Sequence, residues 1–89
     1  MTVYIVKENY WSYDYENEQE HFRSDIIAVA TDIDKALDRM DADIACRMKV
    51  DALYGSVRSK ADYAKDYEVV VADTETGEIA VTSFNEKRY

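Results

Sequence analysis

"YEVVVADTETGEIAVTSF", Tyr67–Phe84, decides the fold. It reads as two runs of β-formers, Tyr67–Asp73 and Glu78–Phe84, joined by a turn through Thr74–Gly77. Gly77 supplies the left-handed residue that such a turn needs. A hairpin of this kind needs further strands beside it and a layer to cover it. Both are sought upstream.

Immediately upstream, Ser59–Asp66 has the makings of one short helical turn. Before it lies a longer helix that starts at Thr31. Thr31 followed by Asp34 is a variant of the capping box, and Asp32 and Asp34 suit the positive end of the helix dipole. Ile33, Leu37, Met40, Ile44 and Met48 recur every three or four residues, an apolar stripe expected to lie on a sheet. Cys46, Val50, Leu53 and Val57 form a second stripe, roughly 150° around the helix. Asp51 interrupts the first stripe. Either the helix bends or breaks near Met48–Asp51, or one long helix buries two faces. Gly55 is the expected residue just past its end. The second stripe is expected to contact another protomer or the segment Ala61–Tyr67.

The amino-terminal third supplies the missing strands. "TVYIVKE", Thr2–Glu8, and "FRSDIIAVA", Phe22–Ala30, are rich in β-formers. In the second, Ile27 and Val29 are expected on one face, with Ile26 and Ala28 on the other. The order strand, strand, helix, strand, strand predicts a single α+β domain over residues 1–89. Its core is an antiparallel four-stranded sheet with one main helix on one face. Residues Asn85–Tyr89 are expected to fray. Strict alternation would set Tyr4, Val6 and Val70 against Val3, Ile5 and Val71. Both sheet faces are then apolar, and one helix cannot cover both, so a partner or a second copy is expected.

With 47% hydrophobic residues, 89 residues are enough for one core. A chain of this size buries about 60–65% of its unfolded surface. The single Cys46 rules out an internal disulfide and any cysteine-based zinc site. No apolar stretch approaches the ~18 residues of a membrane span, and no signal-like pattern opens the chain, so a cytoplasmic protein is expected. The net charge of −8 opposes nucleic-acid phosphates and anionic membranes, and favours a protein partner with a basic surface.

Residues capable of chemistry are sparse. His21 is the only histidine and lacks a neighbouring nucleophile or second ligand in the sequence. Cys46 lies on an apolar stripe with no base cluster to activate it. Asp34, Asp38 and Asp41 line one helical edge at i, i+4 and i+7. "DIDKALD" lacks the glycine and remaining oxygens of a calcium loop, and Gly55 and Gly77 alone cannot build a phosphate loop. The expectation is therefore no enzyme, no metal and no cofactor.

The stretch between the first two strands, "NYWSYDYENEQE", Asn9–Glu20, stands apart. As a connection it is long, and long connections are often functional. It combines Tyr10, Trp11, Tyr13 and Tyr15 with Asp14, Glu16, Glu18 and Glu20. If extended, alternation would place Trp11, Tyr13 and Tyr15 on one side and the four carboxylates on the other. Such rings either fold back over the open sheet face and complete the core, or anchor a partner whose approach the acids steer. On the second reading these eight residues form the binding site, with Asp34, Asp38 and Asp41 as a further acidic patch.

"VYIVKENY", a polar loop, "DIIAVATDIDKAL" and a closing hairpin together resemble small proteins of phages and prophages that have no assigned chemistry. The likeness covers about residues 2–40. Small acidic phage proteins include anti-CRISPR and anti-restriction inhibitors that imitate nucleic acid in charge. The resemblance thus implies a non-enzymatic inhibitor occupying the basic nucleic-acid channel of a host defence nuclease. The alternative is a small structural or assembly domain that homodimerises, without mimicry.

Overall fold

A computed structural model of the chain describes residues 1–82. Its elements are β1 (Thr2–Asp14), β2 (Gln19–Ala30), α1 (Ile33–Leu53), α2 (Lys60–Ala64), β3 (Tyr67–Asp73) and β4 (Ile79–Thr82). The strands form one sheet in the order β2-β1-β3-β4, with every neighbouring pair antiparallel. The α+β class is as expected. So are the limits of β3 and the left-handed Gly77, at φ 75°. The end of the expected last strand, Ser83–Phe84, and the tail Asn85–Tyr89 lie outside the described residues.

The core forms where α1 crosses the sheet. Ala36, Leu37, Met40 and Ile44 are buried with Val6, Val69 and Tyr67 of the strands and Tyr63 and Ala64 of α2. Ile33 and Met48, at the ends of the same stripe, are partly buried against that cluster. The helix begins one residue later than the capping pattern suggests. Asp32, extended at φ −122°, is the N-cap and accepts the Asp34 N–H at 2.8 Å. A carboxylate held here also meets the positive end of the dipole, which Thr31 would not. At the other end Tyr54 is the C-cap and Gly55, at φ 68°, follows it as expected. Ser59 caps α2 by accepting the Asp62 N–H at 3.2 Å.

α1 runs unbroken through Met48–Asp51. The second stripe is not buried by this chain: Cys46, Val50 and Leu53 are exposed, Leu53 to 83%, and Val57 lies beyond the end of α1 and is exposed as well. The expected contact with Ala61–Tyr67 is therefore not made by burial. Asp51 interrupts the first stripe because that position faces α2, where it accepts the hydroxyl of Tyr63.

Two face assignments need correction. Pairing of β1 with β2 steps from Val6 opposite Ala28 to Lys7 opposite Ile26, leaving Ile27 as the extra residue of a bulge. Alternation breaks there. Ile26 and Val29 share the outer face, while Ile27, Ala28 and Ala30 pack against the core. In β3, Val70 lies opposite Ile5 and Val71 opposite Tyr4, so Val70 belongs with Val3 and Ile5. The face away from α1 thus presents Ile5, Ile26, Val29, Val70, Ile79 and Val81. Four of these, Ile26, Val29, Ile79 and Val81, are more than 60% exposed.

Candidate functional site: an aromatic hairpin arm

β1 and β2 outrun the rest of the sheet. The β1–β3 ladder ends at Glu8 opposite Tyr67, followed by one bond from the Asn9 N–H to the Asp66 carbonyl at 2.7 Å. From Tyr10 to Asp14, among the described residues, β1 is paired with β2 alone. The expected loop Asn9–Glu20 is therefore mostly strand, and only residues 15–18 turn. That turn contains no glycine. Asp14 holds it together by accepting the N–H groups of Glu16 at 3.0 Å and Asn17 at 3.4 Å, while Asn17 Nδ2 reaches its other oxygen at 2.8 Å. Glu18 takes the left-handed conformation, φ 52°. These bonds keep the Asp14 carboxyl below the usual carboxylate range, the Asn17 side chain contributing most.

Trp11 lies directly opposite Phe22, and the rings meet edge to face at 5.4 Å. Tyr13 and Tyr15 meet in the same manner at 4.7 Å. Trp11 is nevertheless 68% and Phe22 57% exposed. The rings pack on one another and do not complete the core. Phe22 escapes a sequence reading that stops the first strand at Glu8, because its partner then lies in a loop. Tyr10 points to the other side, where the Asp25 carboxylate raises the pKa of its hydroxyl.

The acidic row is not arranged as alternation predicts. Glu20 sits opposite Tyr13, on the aromatic side of the arm. Asp14 is on the reverse side and engaged in the turn, with Glu16 and Glu18 at the tip. Asp34 and Asp38 are exposed in the first turns of α1, which follow the base of β2 and not the arm, and Asp41 is half-buried there. His21 stands 3.9 Å from Asp14 Oδ2, beyond hydrogen-bond reach.

A polar cluster below the arm has no counterpart in the sequence reading. Arg47 lies over the rings of Tyr63 and Tyr67, at 5.1 and 5.6 Å. It pairs with Asp66 at 2.9 Å and Glu8 at 3.6 Å, and donates to the Tyr67 hydroxyl at 3.4 Å. The Tyr67 hydroxyl in turn donates to Asp43. Arg58 covers the outer side of Tyr63 at 4.4 Å and reaches Asp66 at 3.3 Å. Burial works against the charge of Arg47, and the bonds to Tyr67 and Asp66 more than offset it, so its pKa lies above the ordinary value. Burial, and then Asp43, push the Glu8 carboxyl up, with Arg47 opposing. With so many partners within the chain, Arg47 acts as a clamp joining β1, α1 and the α2–β3 link. Asp43, Arg47 and Asp51, at i, i+4 and i+8, were the signal available in sequence.

Among the described residues no cluster of side chains has a metal-binding arrangement, and no helix is long and apolar enough to cross a membrane. No family model, curated protein or solved structure matches the chain.

Proposed function

We propose that the protein is a binding module that engages a protein partner through the aromatic side of the hairpin arm. The observation that carries this reading is the Trp11–Phe22 pair, exposed on a ribbon that extends beyond the rest of the sheet. Exposing two large rings leaves apolar area in water, at about 25 cal/mol per Å². Aromatic side chains of this kind are the usual anchors of interfaces. Glu16, Glu18 and Glu20 surround the tip and favour a basic partner surface. In its narrower form the partner is a host nuclease, with these three acids lying where phosphates would run, while Asp14 holds the turn from the reverse side. A second reading, a homodimer, draws on the open sheet face with Ile26, Val29, Ile79 and Val81.

Affinity capture from a bacterial lysate, comparing the parent with Trp11→Ala, tests the first reading. A protein held by the parent and lost with the variant supports it. Identical captures, or none, reject it. Light scattering separates the second reading, which requires twice the chain mass in solution.

A further inference from the structure

Besides the outer edges of β2 and β4, the arm leaves the β3-facing edge of β1 open beyond the end of β3, and the backbone defines what fits there. In an antiparallel strand, successive residues direct their N–H and C=O groups to alternate edges. Asn9 bonds to Asp66 on the β3 side, so Trp11 and Tyr13 direct their backbone groups the same way. Asp66 gives its own N–H to the Tyr63 carbonyl at 3.0 Å as α2 closes, and the line of β3 stops there. Beyond it, among the described residues, no strand lies beside Trp11 and Tyr13. The step is a groove lined by Asn9, Tyr10, Trp11, Phe22, Lys65 and Asp66.

An open edge of this kind is a template for another strand unless lysine, proline or a bulge spoils it. Tyr10–Asp14 contains neither lysine nor proline, and the Ile27 bulge lies in the other strand. We propose that this edge accepts an extended, basic segment of a partner protein as an added strand continuing the line of β3. This rests on the binding reading above and specifies the form of the partner. The edge selects an extended backbone, and alternate side chains of the segment would meet Trp11 and Tyr13. Charge selects the basic character: residues 9–25 carry Asp14, Glu16, Glu18, Glu20 and Asp25 against Arg23, and Lys65 in the groove wall is paired with Asp62 at 3.4 Å beside Asp66. The same charges disfavour a second copy of this chain, whose net charge is −8.

Amide exchange tests the proposal, with a synthetic peptide alternating lysine and valine as probe and a glutamate–valine peptide as control. The Trp11 and Tyr13 amides should exchange rapidly in the free protein and be protected by millimolar lysine–valine peptide alone. Tyr13→Pro and Tyr13→Ala both lose the ring, but only proline also loses the outward N–H, which is not part of the β1–β2 ladder. The proline variant should bind the peptide about fivefold more weakly than the alanine variant, the effect of one hydrogen bond. Protection already present in the free protein, protection that rises with protein concentration, or protection equal with both peptides would overturn the proposal. So would its absence with the lysine peptide. The exchange result on the parent stands even if the proline variant fails to fold. A lysate partner held equally by both Tyr13 variants but lost with Trp11→Ala would reject strand addition and leave ring docking intact.

Discussion

The hydroxyl of Tyr63, a fully buried residue, donates to Asp51 Oδ2 across the gap between α2 and the end of α1. The Tyr63 hydroxyl oxygen also accepts the Arg58 backbone N–H, at 3.2 Å. One tyrosine thus ties α1, α2 and the link between them. Tyr63→Phe strands a carboxylate and a backbone donor, and should cost ~1–3 kcal/mol in urea unfolding. Because the two groups share one bond, adding Asp51→Asn should cost less than the sum of the single changes.

Leu37 and Leu53 share a helix but not an environment, 7% against 83% exposed. Leu37→Ala should lose ~2–5 kcal/mol. Leu53→Glu should alter stability by no more than about 0.5 kcal/mol. A fall in solution mass with Leu53→Glu would instead place the second stripe in an interface between copies.

Glu8 makes stability depend on pH in an uncommon direction. Its folded pKa is raised by burial and by Asp43, so its contribution is fully present below the unfolded value and lost as pH rises through the folded one. Glu8→Gln should therefore reduce the decline in stability between acidic and neutral pH. In a carboxyl NMR titration, Asp43→Asn should lower the Glu8 midpoint and Arg47→Met should raise it. Asp14, with a lowered pKa, contributes with the opposite sign, losing its effect as pH falls.

Charge and rings on the arm should separate kinetically. Replacing Glu16, Glu18 and Glu20 with Gln should slow association with the captured partner and flatten its salt dependence, since screening acts over about 10 Å at 0.1 M salt. Asp14 is left in place because its carboxylate holds the turn. Trp11→Ala should speed dissociation and cost at least ~2 kcal/mol of affinity. Its thermal melt should change little, because the ring is outside the core.

Where backbone preference and burial agree, the sequence was a sufficient guide. The Gly77 turn, the Leu37–Met40–Ile44 stripe, the Gly55 ending and the Ser59 turn all follow from local patterns. The arm did not, because its turn is built from Asp14 and a left-handed Glu18, with no glycine or proline to mark it. That hid the length of both strands and, with it, Phe22. The Arg47 clamp depends on residues up to 39 positions apart, Glu8 and Arg47, which no periodicity connects. Face assignments failed at Ile27, where one extra residue resets the alternation.

That extra residue sets how the gene can change length. Removing the Ile27 codon would still leave Ala28 opposite Val6 and Ile26 opposite Lys7, at the loss of one side chain from beside the core. Removing a codon at Arg23 would put four residues on the wrong face either way: those between it and the turn, taking Phe22 from opposite Trp11, or Ser24–Ile27 as the bulge closes. Single-codon deletions in β2 should therefore be tolerated at one position and damaging on the arm side of it. A deletion scan of the strand would locate the bulge.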